Sequence, residues 1–271
     1  MTTTAFEAFF GFTGTPFSRD IPVKELLETD GFKELQGRLN HITRRQAFGV
    51  FTGDAGTGKT TAIRRFCQGL DTNKYRVLYI SDSGLTPRNF YWEALHQLGY
   101  EPKFYRGDAK RQLQKALEVL TDNEKKMPVV IVDEAHLLSR EMLEEIRFLL
   151  NIRMDSYSSL SLILTGQTEL RETLKLKVNE AIWQRVDMRF HLPPLSKEET
   201  TTYIAKHLGA VKAPGDIFTQ AAVGVIHEYC GGIPRKANKV AVACLMAAAE
   251  QNQKLIDDRL VREVIEIEFE G

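Results

Sequence analysis

The chain has 271 residues, with 36 Lys+Arg against 36 Asp+Glu and a formal charge of zero. Hydrophobic residues make up 43% and charged residues 27%, a globular balance that excludes a disordered tail, a collagen-like fibre and a disulfide-stapled miniprotein. Zero net charge also removes the argument that a strongly basic chain must bind nucleic acid, so any DNA-binding surface has to be a local patch.

The N-terminus has neither a basic n-region nor a long apolar core, so it does not read as a secretory signal. The aromatic stretch from Phe6 to Phe17, followed by Pro22, is expected to be irregular and packed on a core. Residues 31–45 have helical spacing through Phe32, Leu35, Leu39 and Ile42. A short apolar run over 47–52 predicts a buried strand, and 60–70 a helix. A strand is expected over 75–80 and helices over 88–98 and 109–120. The run at 128–133 has the all-apolar character of a parallel-sheet strand. Then come a helix over 140–151, a strand over 160–165 and a last strand over 188–192, closed by Pro193 and Pro194. Beyond them strand signals stop, and 197–208, 216–229, 234–250 and 257–265 read as helices.

Alternating strands and helices imply a parallel sheet covered by helices on both faces. The division expected is an N-terminal segment and helix over 1–46 packed on the core, an α/β core over 47–195 and a small all-helical domain over 196–271. The longest apolar stretch, 240–249, is too short to span a bilayer and reads as a buried helix. Cys67, Cys230 and Cys244 form no CxxC pair and fit reduced thiols. The expectation is a cytoplasmic protein with no membrane association.

Gly53, Asp54, Ala55, Gly56, Thr57, Gly58, Lys59 and Thr60 fit the pattern GxxxxGK[ST], between a predicted strand and a predicted helix. Glycines let the backbone curl so that successive N–H groups face a phosphate, and the following helix adds its positive end. Lys59 is placed for the β- and γ-phosphates, and the Thr60 hydroxyl for Mg²⁺. With Thr61, these residues form the candidate ATP cradle. The strand at 128–133 ends in Asp133 and Glu134. Asp133 is the candidate for holding Mg²⁺ through water, and Glu134 for deprotonating the attacking water. This is the α/β P-loop NTPase layout. An Asp-Glu pair favours ATP hydrolysis over phosphate transfer to a small acceptor.

Gln167 follows the next strand and is the candidate γ-phosphate sensor, with Thr165 second; the alternative is that Gln167 only caps the next helix. Arg185, just before the last strand, and Arg189, on it, are candidates for an arginine finger reaching a neighbouring subunit. Arg185 is preferred, and an ordinary surface ion pair is the alternative. Arg235, after Gly231, Gly232, Ile233 and Pro234, is placed to fold back onto the γ-phosphate from the helical domain; an exposed helix-start arginine is the alternative.

Together these residues resemble the AAA+ ATPases, whose nucleotide core is followed by a small helical lid. Within them the pattern is similar to the ExeA-like branch, which includes transposition helpers of the TniB/TnsC kind, related to MuB/IstB. The match rests on Pro16-Phe17, the segment from Thr52 to Thr61, Ile131 to His136, Leu164 to Leu170, Gln184-Arg185 and Gly232 to Arg235. It covers nearly the whole chain. The resemblance implies a homo-oligomer, a ring or helical filament, with ATP between subunits. In transposition helpers that assembly coats double-stranded DNA without sequence preference and recruits or activates a transposase, and hydrolysis disassembles it. The secretion-type ExeA relative carries a membrane segment and a peptidoglycan-binding region after its ATPase. This sequence stops at Gly271, and on that ground the transposition reading is preferred. A third reading is an ATP-gated scaffold with negligible turnover.

Independent support for DNA binding is a basic stretch with Lys103, Arg106, Lys110 and Arg111 around Tyr105. Such a patch can grip a phosphate backbone without reading bases. The alternative is a solvated helix face.

Overall fold

The computed structural model describes residues 5–18, 22, 25–82, 84–150 and 160–270. The chain divides into two compact units. One comprises Gly31–Asp54 and Lys59–Leu192; the other comprises Met1–Asp30, Ala55–Gly58 and Pro193–Gly271.

The first unit is an α/β layer structure. Its strands are β1 (Phe48–Thr52), β2 (Tyr75–Ile80), β3 (Met127–Val132), β4 (Ser161–Gly166) and β5 (Met188–His191). They form one sheet in the order β2-β3-β4-β1-β5, and every pairing is parallel. Helix α2 (Asp30–Arg45) precedes β1, and α3 (Lys59–Gly69) follows it. Helices α4 (Pro87–Gln97) and α5 (Arg106–Asp122) connect β2 to β3; α6 (Arg140–Leu149) connects β3 to β4. Helices α7 (Thr168–Lys175) and α8 (Glu180–Trp183) lead to β5. The expected end of α6 at Asn151 lies outside the described residues.

The strand pattern explains the layering. Both faces of β3 from Pro128 on and of β4 are buried, and the side chains there are apolar without alternation except for Ser161 and Thr165. On one face, Val50, Leu78, Val130, Val132 and Leu164 share a cluster with Tyr91, Leu113 and Ile146 from α4, α5 and α6. The opposite face carries α2, whose stripe of Phe32, Leu35, Leu39 and Ile42 is buried as its spacing predicts. Gly49 is required there, since a Cβ on it would lie 3.3 Å from Ile42 and 2.6 Å from the Phe51 ring.

The second unit is helical: α9 (Lys197–Ala210), α10 (Gln220–Cys230), α11 (Pro234–Glu250) and α12 (Asp258–Glu268), with α1 (Ala5–Phe10). Ser196 and Glu199 form a reciprocal capping box at the start of α9. Thr219 and Asp257 cap α10 and α12, and Gly231 ends α10 in the left-handed region. Thr219 starts α10 later than the pattern suggests, because Phe218 is held in a bridge to Ile256.

The aromatic segment differs from expectation. It starts as a helix, and it packs in the helical unit rather than on the ATPase core. Phe6, Phe10, Phe12 and Phe17 are buried with Ile204, Leu208 and Leu245. Small residues on α11, including Ala237, Ala241 and Ala248, are fully buried in the same cluster. Thr13 donates its amide to the Val211 carbonyl at 3.0 Å, and Lys254 lies 3.7 Å from the Phe9 ring centre. The segment supplies the large side chains that a bundle rich in alanine needs to fill its core.

Candidate nucleotide site

The carboxyl ends of β1, β3 and β4 are neighbours in the sheet. Thr52 is in register with Gly166, and Val132 with Leu164. The residues just beyond those ends are therefore brought together, where parallel α/β sheets build ligand sites.

Lys59 opens α3. Its ammonium is buried and donates to the carbonyls of Gly53 at 2.7 Å and Asp54 at 2.9 Å. Asp54 accepts the Thr168 hydroxyl at 3.2 Å, so the start of the loop is tied to the start of α7. Gly56 and Gly58 have φ of +89° and +100°, which L side chains rarely adopt. Residues 55–58 belong to the helical unit. There the Arg235 amide donates to the Gly56 carbonyl at 3.3 Å. A Cβ on Gly56 would sit 2.7 Å from the Arg235 Cβ and 3.1 Å from Ile233. Arg235 is exposed at the first turn of α11.

Asp133 is 3% exposed. Its Oδ2 accepts the Thr60 hydroxyl at 2.9 Å and the Tyr79 hydroxyl at 2.8 Å. Its Oδ1 accepts the Thr165 hydroxyl and the Glu134 amide, each at 2.9 Å. Burial, reinforced by the hydrogen bond to Asp133, pushes the Tyr79 hydroxyl above its ordinary range, so it stays a donor.

Glu134 ends the strand in the left-handed region at φ 51°, ψ 32°, which is uncommon for a side chain this size. A single 3₁₀ turn, Ala135–Leu137, follows and carries His136. The Gln167 side-chain nitrogen lies 3.0 Å from His136 Nε2, and the Gln167 amide donates to His136 Nδ1 at 3.4 Å. Glu134 Oε2 is 3.5 Å from the same Nδ1. Gln167 also precedes α7 as its N-cap residue, but its side chain makes no capping bond, and it faces His136 instead.

The structure thus gathers Lys59, Thr60, Asp133, Glu134, Thr165 and Gln167 at one edge of the sheet. It adds Tyr79 and His136, which sequence reasoning did not assign. Thr60 and Asp133 offer hydroxyl and carboxylate oxygens, the hard donors that Mg²⁺ takes, so the donor set fits that ion with water completing it.

The family model described as "AAA domain" matches residues 42–174. Over that span, a little under half of its length, the chain is similar to that family. Over 258 residues it is 32% identical to general secretion pathway protein A of Aeromonas hydrophila, covering 92% of this chain and 46% of that protein. The chain therefore spans about half the length of that relative. Among solved structures it is similar to Cdc6p from Pyrobaculum aerophilum, with a TM-score of 0.69 and 16% identity, over 92% of this chain and 69% of that one. It is also similar to Drosophila ORC bound to DNA, with a TM-score of 0.70 and 18% identity, over 97% and 66%. Those two likenesses establish the AAA+ fold of sheet and helical part.

The other candidates from the sequence also belong to the α/β unit. Arg189 donates to the Trp183 carbonyl at 2.7 Å, with its guanidinium 3.7 Å from the Trp183 ring centre. Arg185 is half-buried, just before β5. The basic stretch is partly neutralised. Arg106 pairs with Glu141 at 2.6 Å and with Glu145, Lys110 with Glu145 at 2.6 Å, and Arg111 with Asp108 at 2.6 Å. Lys103 is exposed beside Phe104 and Tyr105, which are 68% and 71% exposed. Among the described residues no group of three or more His, Cys, Asp or Glu side chains could hold a metal, and no helix is long and apolar enough to cross a membrane.

Proposed function

We propose that this chain is a Mg²⁺-dependent ATPase that regulates transposition. It forms a homo-oligomer with ATP on double-stranded DNA, recruits or activates a transposase, and is released by hydrolysis. The observation that carries the ATPase part of this reading is the arrangement around Asp133. The carboxylate is fixed by donors from three strands or their helices and leaves Glu134 beside it on a half-exposed turn.

Roles follow from the chemistry of each group. The loop amides of residues 53–61 and the Lys59 ammonium bind the phosphates. Thr60 and, through water, Asp133 hold Mg²⁺, which when bound neutralises charge on the β- and γ-oxygens. Glu134 takes the proton of the attacking water. Gln167 contacts the γ-phosphate and orients that water. Arg235 is the lid residue that reports the γ-phosphate, and Arg185 is the arginine finger offered to a neighbouring copy. Trp183 accepts the Arg189 guanidinium at its carbonyl and carries it over its ring.

The motif pieces at Gly166 to Leu170 and Gly232 to Arg235 point to the ExeA-like branch, which includes the transposition helpers. The likeness to ORC, a protein solved bound to DNA, supports the DNA part. The basic stretch supports it less than its composition suggested, because Glu145, Glu141 and Asp108 balance its cations. Lys103, Arg106, Lys110 and Arg111 remain as the DNA-facing set, with Lys110 and Arg106 sharing Glu145. Repetition along a filament multiplies a weak contact.

A second reading, a secretion or assembly ATPase, is favoured by the 32% identity to general secretion pathway protein A. Electron microscopy with an ATP analogue, with and without duplex DNA, separates the two. Filaments on DNA, with binding that weakens steeply as salt rises, support transposition. Assembly that ignores DNA supports secretion, and monomers in every condition overturn both. Turnover of Glu134→Gln equal to the native rate reduces the protein to a scaffold.

A further inference from the structure

The geometry points to His136 as a positioning residue that couples the Gln167 amide to the Glu134 carboxylate through its choice of tautomer. This rests on the proposed roles of Glu134 and Gln167 and adds the link between them.

Three contacts converge on one imidazole. Nε2 faces the Gln167 side-chain amide at 3.0 Å. Nδ1 faces both the Gln167 backbone N–H, at 3.4 Å, and Glu134 Oε2, at 3.5 Å. The His136 side chain is 10% exposed, against 44% for Glu134. The ring is confined while the carboxylate is not. The confinement has a cause in the backbone. Gly166 lets the turn approach β4 so closely that a Cβ there would lie 3.0 Å from the His136 amide nitrogen and 3.4 Å from that of Ala135.

A neutral imidazole carries one proton on one nitrogen. If the proton is on Nδ1, that nitrogen can donate to Glu134, and Nε2 accepts from the Gln167 NH₂. If it is on Nε2, Nδ1 can only accept, which suits the Gln167 backbone N–H and releases Glu134. Nε2 then donates, so the Gln167 amide must turn its oxygen toward the ring. The two ends of Gln167 differ only in the exchange of O and NH₂. Turning that amide toward a phosphate oxygen therefore changes what His136 can offer Glu134. Sensor and base become two ends of one hydrogen-bonded lever, with no side chain required to move far.

The test uses the full chain. In ¹⁵N-histidine-labelled, ligand-free protein, His136 is assigned by its loss in His136→Asn, and its tautomer is read from the ring nitrogen shifts. Gln167→Ala is expected to change that tautomer; an unchanged tautomer overturns the coupling. In kinetics, His136→Asn is expected to lower kcat roughly tenfold or more while the affinity for an ATP analogue stays at the native value. The double variant with Gln167→Ala should be no slower than the slower single variant. Native kcat in His136→Asn, or losses that multiply in the double variant, overturns it. Should His136→Asn fail to fold, His136→Gln supplies the assignment and the Gln167→Ala spectrum decides. Failure of the underlying reading looks different: Glu134→Gln would hydrolyse ATP at the native rate while the His136 tautomer still answered to Gln167.

Discussion

Tyr79 reaches across from β2 to donate its hydroxyl to Asp133 Oδ2 at 2.8 Å, the same oxygen that accepts Thr60. β2 is an edge strand, and among the described residues β3, which leads into Asp133, is its only sheet neighbour. The sheet edge farthest from β5 thus holds the acidic residue proposed to serve the metal. Tyr79→Phe removes one donor, and Thr165→Val removes one on the other oxygen. A hydrogen bond to a charged group contributes about 1.5–3 kcal/mol, less where water can replace it. Thr165 is 1% exposed and Tyr79 is half-buried. Thr165→Val is therefore expected to cost more stability than Tyr79→Phe in urea unfolding, and both should raise the Mg²⁺ concentration needed for half-maximal turnover. Native Mg²⁺ dependence in both would show that these hydroxyls do not orient Asp133.

Glu145 is the most confined acid among the described residues of the α/β unit, at 2% exposure. Burial alone would raise its pKa, but hydrogen bonds from Lys110, Tyr91 and Arg106 prevail and hold it at about 2, from an ordinary 4.5. A carboxylate with a lowered folded pKa stabilises the fold fully above its unfolded value and loses that contribution as pH falls through the folded one. The loss is expected between pH 4.5 and about 2. Glu145→Gln should cost about 3 kcal/mol at neutral pH, because it leaves two cations against a neutral group. Denaturant melts at pH 7 and pH 3 check this: the gap between variant and native protein should shrink at the lower pH.

His207 reports on the N-terminal segment. It is 6% exposed, stacked on Phe17 with ring centres 5.2 Å apart and beside Tyr203 at 4.4 Å. Burial, with a smaller contribution from Lys206, lowers its pKa from 6.5 to about 4. The unfolded chain therefore binds this proton first as pH falls, and the native state loses on the order of 3 kcal/mol between pH 6.5 and 4. His207→Phe should flatten stability over that window. A variant as acid-sensitive as the native chain would assign the loss to other groups.

Gly56 and Gly58 separate two causes of failure in the loop. A left-handed conformation costs an L residue roughly 1–2 kcal/mol. Gly58→Ala meets only that, since nothing lies within 4 Å of its Cβ. Gly56→Ala also meets Arg235 at 2.7 Å. Titration with a fluorescent ATP analogue should show a larger loss of affinity for Gly56→Ala. Equal losses would mean that the contact with Arg235 is without consequence for the loop.

Much of this was legible in the order of residues. The strand that leads to Asp133 was readable because a parallel strand buried on both faces is apolar through its length, as it is from Pro128 to Val132. The loop at 53–60 was readable because phosphate binding by main-chain amides demands glycines at short, fixed spacing. Helix α1 was not, because six residues of mixed pattern carry too little periodicity. The ion pairs that balance Arg106 and Lys110 were hidden too, since Glu145 lies more than thirty positions away on another helix.

The linear chain by itself determined the alternation of elements, the phosphate loop and the acidic pair, since each is a matter of near neighbours and backbone torsion. Only the tertiary structure decided that Tyr79 holds Asp133, that His136 stands between Glu134 and Gln167, and that the aromatic segment completes the helical unit. Those relations depend on which strands lie side by side and which helices share a core. Long-range packing sets both, and local spacing carries no record of it.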